Sequence, residues 1–366
     1  MPVPLSERAA ELGYDREVVK KELVLMIEPT NICNFRCEAC YNGATIAEPQ
    51  KRSWGLDDYR NMLDRVESQG GKIELVDVLG GDMSTRPFEV LTGFLDENRR
   101  RNIKTLLVSN LLRFTPQQAE VLVTKVDKLK GKWNVGQDQY ELQGELIGRN
   151  ANTAARMQDQ IRMFSETIAR TGSNVNFLLD NALRPSNYAL VGEYLSFCKS
   201  VGATPYIEQL MQVGVDKDYI MTPAQTLEAT NIMADWYRQN EGRELLEEMV
   251  APHFIYPCIY LGRSLYVRLN GDVATCPCTE HTFGNIHSDK LDDILNDDVF
   301  IARRLLAQSS TSAIISDNGI CSTCPDERWQ KCHGGCRGTT ETVFGIPEGL
   351  FKSYPDCPWE YIKSSK

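Results

Sequence analysis

From Glu22 to about Gln209 the chain alternates short apolar, β-branched runs with longer stretches in which apolar residues recur at i, i+3 and i+4. The runs predict strands over residues 23–28, 73–79, 103–109, 132–137, 175–180 and 205–208. Between them the periodicity predicts helices over 56–67, 88–100, 116–126, 153–170 and 188–201. The stretch Leu56-Asp-Asp-Tyr-Arg-Asn-Met-Leu-Asp-Arg-Val66 is the clearest case, with one apolar stripe suited to packing on a sheet. Six strand–helix alternations imply a parallel sheet with right-handed crossovers, hence a barrel or an open doubly wound sheet. Ligands of such sheets gather at the C-terminal ends of the strands. Residues 221–250 read as one or two linking helices, with Pro223 near a helix start. Beyond Cys258 the texture changes to short strands, Gly-Asp turns and cysteines, and Asn270-Gly271-Asp272 is a hairpin signal. A segment so poor in apolar residues needs metal to fold.

Cysteine placement sharpens this picture. Of 12 cysteines, three lie at Cys33, Cys37 and Cys40, one is Cys198, and eight fall between Cys258 and Cys357. The N-terminus, Met-Pro-Val-Pro-Leu-Ser-Glu-Arg, lacks the apolar core of a signal peptide, and no later run of about 18 apolar residues could span a membrane. A cytoplasmic chain with clustered cysteines points to metal binding or redox chemistry rather than disulfides. A net charge of −10 provides no field for a phosphate backbone, which argues against nucleic acid as a partner.

The triad in Glu28-Pro-Thr-Asn-Ile-Cys-Asn-Phe-Arg-Cys-Glu-Ala-Cys-Tyr41 follows the first strand, so it falls on the functional edge of the sheet. Three thiols leave one coordination position unfilled. A structural zinc closes its shell with four ligands, whereas a catalytic metal keeps one place open, and a cubane held by three thiolates leaves one iron for an exogenous ligand. Leu79-Gly80-Gly81-Asp82-Met83 closes the second predicted strand, where glycines admit close backbone approach and a carboxylate can accept from an ammonium group.

These residues resemble the radical S-adenosylmethionine superfamily, whose signature is this three-cysteine spacing after the first barrel strand. The resemblance implies a partial (β/α)6 barrel in which Cys33, Cys37 and Cys40 hold a [4Fe-4S] cluster whose fourth iron binds S-adenosylmethionine. It also implies cofactor contacts from Gly80, Gly81 and Asp82, which stand where the family has Gly-Gly-Glu, and from Ser109 and Asn110 at the third strand end. Asp138, after Gly136-Gln137, is a candidate ribose or substrate contact. Tyr41 replaces the aromatic residue that the family places just before its third cysteine, where this chain has Ala39.

The later cysteines resemble the SPASM extension found behind such barrels: Cys258, Gly271 five before Cys276, Cys321-Ser-Thr-Cys324, Cys332 and Cys336 at x3 spacing, then Cys357. The gap from Cys324 to Cys332 is two residues longer than usual. Carried over by position, Cys258, Cys276 and Cys336 would hold one auxiliary iron–sulfur cluster, with Cys278 as its fourth ligand or an iron left open. Cys321, Cys324, Cys332 and Cys357 would hold a second. On composition alone, two zinc ribbons remain open. The resulting domain plan is an N-terminal extension (1–21), the partial barrel (22–212), a helical linker (213–257) and the auxiliary-cluster domain (258–366).

The resemblance implies reductive cleavage of S-adenosylmethionine to a 5′-deoxyadenosyl radical, with the electron coming from an external flavodoxin- or ferredoxin-type partner. The radical would then take a hydrogen atom from substrate. A tailoring enzyme that oxidises or epimerises a sugar-, aminoglycoside- or nucleoside-like small molecule is the first expectation, and a peptide or protein maturase the second. A non-catalytic iron–sulfur or zinc protein is a third class, against which the open triad argues. Glu208, closing the sixth predicted strand, is a candidate catalytic carboxylate. Cys198, on the apolar stripe of a helix, is either core packing or a hydrogen-atom donor.

Overall fold

The computed structural model describes residues 13–37, 39–41, 52–210, 217–242, 262–277, 279–308, 335–345, 348–354 and 357. Its strands are β1 (Leu23–Ile27), β2 (Ile73–Val78), β3 (Lys104–Ser109), β4 (Lys128–Lys132), β5 (Asn176–Leu183), β6 (Thr204–Gln209), β7 (Ser264–Val267) and β8 (Val273–Ala274). The helices are α1 (Arg16–Lys20), α2 (Leu56–Ser68), α3 (Phe88–Arg100), α4 (Pro116–Lys125), α5 (Tyr140–Leu146), α6 (Ala151–Thr171), α7 (Val191–Ser200), α8 (Pro223–Glu241), α9 (Leu291–Leu295), α10 (Asp298–Gln308) and α11 (Arg337–Phe344).

β1 to β6 pair in sequence order, all parallel, with at least one helix in each crossover from β2 onward. The full order is β6-β5-β4-β3-β2-β1-β7-β8, so the sheet does not close on itself. This is the partial barrel expected from the alternation, with one addition. β7 pairs parallel to β1 and turns back antiparallel into β8, so the cysteine-rich segment extends the barrel sheet. The Asn270-Gly271-Asp272 turn forms as expected, Gly271 taking φ +89°, although the loop spans residues 268–272 rather than two residues.

Register partners share a face of a sheet, and the two faces here differ in chemistry. Leu25, Val76, Leu107, Leu129, Phe177 and Leu179 lie on one face and join Leu63, Phe94, Leu122, Ile161 and Phe164 of the covering helices in a continuous core. The opposite face carries Met26 against Asp77, Lys132 against Asp180 and Tyr206, and Ala182 against Glu208. Lys130 shares this face, and of its charged residues Asp77, Lys130 and Asp180 are buried.

That polar face explains where the fourth strand lies. Alternation predicts it over 132–137, but it runs over Lys128–Lys132, in Lys-Leu-Lys-Gly-Lys. Alternating lysines read as a solvated segment. Here two of them point inward and are partnered: Lys130 stacks 3.6 Å over the Tyr206 ring, and the Lys132 ammonium donates to Asp180 at 2.8 Å. Burial of an amine is tolerated only with such partners. The helix over 88–100 falls as expected and the other boundaries agree within two residues, apart from β5, which continues to Leu183, and the 188–201 helix, whose first turn is a 3-10 turn over Tyr188–Leu190.

α8 begins at Pro223 behind a reciprocal Thr222/Gln225 capping box and ends at Gly242 with φ +61°. It packs along α7, where the Trp236 indole donates to the Ser196 hydroxyl at 2.8 Å. The C-terminal segment is tied to the barrel by the Trp54 indole donating to the Leu269 carbonyl (2.9 Å) and by Leu291 N–H donating to Gln69 (2.7 Å). No helix among the described residues is long and apolar enough to cross a membrane.

Candidate cofactor site

The three-cysteine loop leaves β1 at the C-terminal edge of the sheet and is gripped by backbone from three directions. Gly81 N–H donates to the Thr30 carbonyl at 2.7 Å and Asp82 N–H to the Ile32 carbonyl at 2.8 Å. A Cβ on Gly81 would stand 2.3 Å from the Ile32 oxygen, and Gly80, at φ +96°, would meet the Thr30 oxygen at 2.9 Å. The two glycines therefore let the β2 turn lie directly against the cysteine loop. On a second side Arg36 N–H donates to the Ile147 carbonyl at 3.1 Å, and Gly148 (φ +61°) has no room for a Cβ, which would come 2.2 Å from the Arg36 oxygen. Arg149 Nε donates to the Asn34 carbonyl at 2.7 Å. On the third, Trp54 N–H donates to Pro29 (2.7 Å) and Asn31 N–H to Arg52 (3.2 Å). Sequence reasoning missed Gly148-Arg149 and Trp54; a Gly-Arg pair after a short helix carries no local signal of this contact.

Asp82 is buried, and its carboxylate accepts from Ser84 N–H (2.8 Å), the Ser109 hydroxyl (3.1 Å) and Asn110 N–H (2.7 Å). Burial raises its pKa, and those donors pull back against the rise. A carboxylate offers about four acceptor sites, so little capacity remains for an incoming ammonium. Asp82 instead binds the ends of β2 and β3 together. Asn110 continues the chain of contacts by donating its amide to the Asn34 side chain at 2.8 Å. Gly80, Gly81, Asp82, Ser109 and Asn110 are thus one bonded assembly around the cysteine loop. Tyr41 lies beside it against Met26 and Tyr266, with its phenol pKa raised well above the usual value by burial, against the pull of the Gly80 N–H.

Cys33, Cys37 and Cys40 are thiols that form no disulfide. Burial pushes Cys33 up to about 12, with further upward pressure from Asp82, Cys37 and Cys40; burial and then Cys40 push Cys37 up to about 11. The three sulfurs are therefore close enough for Cys33 and Cys37 to feel their neighbours, and without a metal Cys33 and Cys37 stay protonated. Among the described residues no three Cys, His, Asp or Glu side chains gather closely enough to hold a single ion. A cubane asks something different, one thiolate on each of three irons. Three mutually sensed thiols on one clamped loop fit that group, and iron would supply the charge that favours their deprotonation.

The concave face begins beside these thiols. Lys132 and Arg184 stand near enough to Cys37 for their charges to draw its pKa downward. Glu208 is half-buried and is pushed up to about 7 by burial and then by Asp180. Burial also opposes Asp180, but Lys132 and Lys130 overcome it and hold that carboxyl low. Other predicted positions lie elsewhere. β4 ends at Lys132, so Asp138 is six residues past the strand end; it takes φ +61° and is held at about 2 by Tyr140, then by Gln158 and Gln137. Cys198 is fully buried in the helix-side core, and burial pushes its thiol up to about 12.

Of the later cysteines, Cys258, Cys278, Cys321, Cys324 and Cys332 lie outside the described residues. Cys276, after β8, and Cys336, at the start of α11, are brought together: burial first, then Cys276, raises the Cys336 thiol. Arg303 Nη1 donates to Cys276 Sγ at 3.3 Å, and Arg303 Nε donates to Glu341 at 2.8 Å. Cys357 is a half-buried thiol that forms no disulfide.

The SPASM family, described as an iron-sulfur cluster-binding domain, matches residues 258–325. A structure of Streptococcus suis SuiB bound to S-adenosylmethionine is similar at 17% identity and TM-score 0.64, over 92% of this chain and 77% of SuiB. Native anSMEcpe with bound AdoMet is similar at 15% identity and TM-score 0.68, over 94% of this chain and 95% of that one. The same protein with AdoMet and the Cp18Cys peptide is similar at 14% identity and TM-score 0.67. No curated protein matches the sequence. These solved structures share the open parallel-sheet fold of this chain. The C-terminal segment matches an iron-sulfur cluster-binding family over residues 258–325, and most of the chain has the fold of proteins seen with bound S-adenosylmethionine.

Proposed function

We propose that this chain is a radical S-adenosylmethionine enzyme that oxidises or epimerises a small polar natural product. The observation that carries this reading is the adjacency of the Cys37 thiol to a concave face bearing Lys130, Lys132, Asp180, Tyr206 and Glu208. Cys33, Cys37 and Cys40 would hold the cluster, which with S-adenosylmethionine would supply radical chemistry for removing a hydrogen atom from a substrate carbon. The chain's own residues do the rest. Gly80 and Gly81 bring backbone against the cluster loop, and Asp82 with Ser109 and Asn110 fixes the strand ends around it. Lys132 offers donor hydrogens and Asp180 and Glu208 offer acceptors, a set suited to hydroxyl- and amino-bearing substrates such as sugars, aminoglycosides or nucleosides. Glu208, close to half-ionised near neutrality, can take or return a proton at a substrate heteroatom. Cys276 and Cys336, with Cys258 and Cys278, are proposed ligands of one auxiliary cluster, and Cys321, Cys324, Cys332 and Cys357 of another.

A second reading, a peptide or protein maturase, is favoured by the likeness to anSMEcpe seen with a peptide. Both are tested by anaerobic reconstitution with a one-electron reductant and S-adenosylmethionine, following 5′-deoxyadenosine. About twelve irons per chain are expected for three cubanes. Stimulation of 5′-deoxyadenosine formation by aminosugars or nucleosides supports the first reading, stimulation by peptides alone supports the second, and no 5′-deoxyadenosine in fully loaded protein overturns both.

A further inference from the structure

The side chain of Arg303 is 2% exposed and that of its partner Glu341 1%. Two edges of the guanidinium are committed: Nε donates to one Glu341 oxygen at 2.8 Å, and Nη2 is paired with the other. This fork fixes the plane of the group and leaves Nη1 directed at Cys276 Sγ, 3.3 Å away. The three residues come from separate elements, the loop after β8, α10 and α11, so the contact is built by the tertiary fold. Desolvating an ion pair costs several kcal/mol per charge, and apolar side chains of similar volume commonly do as well for stability. The pair is therefore weakly justified as a staple. Its geometry serves the sulfur.

The environment of Cys33 is different. The donor to its sulfur is the Phe35 backbone N–H, at 3.4 Å, and the nearby charged group is Asp82, whose carboxylate is buried and whose N–H donates to the adjoining Ile32 carbonyl at 2.8 Å. A guanidinium does not lose its proton in proteins, so its charge persists in both oxidation states of a neighbouring cluster. Hydrogen bonds and positive charge at a ligating sulfur stabilise the reduced, more negative cluster and raise its potential, whereas a carboxylate does the reverse.

We propose that Arg303, oriented by Glu341, is a positioning residue that sets the auxiliary cluster ligated by Cys276 at a higher reduction potential than the cluster on Cys33, Cys37 and Cys40. The inference rests on Cys276 being a cluster ligand, as proposed above. The arrangement makes the auxiliary cluster the better electron acceptor of the two.

The test is a redox titration followed by electron paramagnetic resonance on the anaerobically reconstituted full chain, with iron content measured in parallel. Arg303→Gln is expected to keep its iron and to shift one auxiliary signal to a more negative midpoint, leaving the S-adenosylmethionine-responsive signal in place. Arg303→Lys, which keeps the charge but not the fork, should give a smaller shift in the same direction, as should Glu341→Gln. If Arg303→Gln loses iron, the Lys and Glu341→Gln variants decide. Unmoved midpoints in iron-replete variants overturn the proposal. A Cys276→Ala variant with full iron and an unchanged auxiliary spectrum would instead overturn the ligand assignment.

Discussion

The two cysteine regions are held by opposite means. Around Cys33, Cys37 and Cys40 the grip is mostly backbone on backbone, made possible by Gly80, Gly81 and Gly148, with the Arg149 and Asn110 side chains added at Asn34. Around Cys276 and Cys336 the grip includes a buried ion pair, Arg303–Glu341, reaching a sulfur. Close main-chain packing fixes the thiol loop as a unit, whereas at Cys276 a single oriented side chain reaches the sulfur.

The largest expected effect breaks one region and leaves the other. Replacing Cys33, Cys37 and Cys40 together by Ala should remove about a third of the iron and all 5′-deoxyadenosine formation, measured by iron assay and chromatography. Cleavage that survives would sink the proposed mechanism. Next in size are Gly81→Ala and Gly148→Ala, whose added Cβ would stand 2.3 Å and 2.2 Å from carbonyl oxygens. Forced overpacking of this kind costs ~1–3 kcal/mol. It should therefore lower occupancy of the first cluster while the auxiliary iron stays, giving a graded version of the triple-cysteine result. Equal loss from both regions would show that the two are not independently supported.

The contrast also explains what the sequence reveals. The Cys33–Cys40 spacing, Gly80-Gly81-Asp82 and Ser109-Asn110 are each local strings at strand ends, so chain order alone locates them. Helix α4 is equally legible, because Thr115, Pro116 and Gln118 form a capping box with Pro at the first position. β4 is not: its lysines satisfy the pattern of an exposed strip until Asp180 and Tyr206, 48 and 76 residues on, supply their partners. The Arg303–Glu341–Cys276 contact is less legible still, since it joins positions 27 and 38 residues apart with no periodicity linking them. Asp82 shows a subtler difference. The sequence locates it, but only the fold shows that its oxygens are already engaged by Ser84, Ser109 and Asn110.

A smaller effect comes from the polar face of β4 to β6. Glu208 has a folded pKa of about 7, above the ~4.3 of an exposed glutamate. The folded state therefore holds the proton more tightly than the unfolded chain. Its contribution to stability is complete below about pH 4.3 and is lost as pH rises through about 7. Asp180 is shifted the other way, so its contribution is present above its unfolded pKa and is lost only at lower pH. Glu208→Gln should remove the fall in stability between about pH 4.5 and 7, read as a flatter dependence of the thermal midpoint on pH. An unchanged slope in that window would mean that Glu208 does not share its proton with the Lys132–Asp180 cluster.

The smallest effect concerns the cysteine that belongs to neither region. Cys198 sits in the core between α7 and the sheet, with the adjacent Tyr194 phenol donating to the Leu179 carbonyl on the helix-covered face. The sheet lies between its sulfur and the polar face where substrate is proposed to bind, so the thiol cannot hand a hydrogen atom to a radical there. Cys198→Ala removes one buried sulfur and should cost ~1 kcal/mol, as small core deletions do. Thermal unfolding should report that loss, while iron content and 5′-deoxyadenosine formation stay at the parent level. If turnover fell with all iron in place, a route from this side of the sheet to the substrate would have to exist, and the division of labour between the two faces would be wrong.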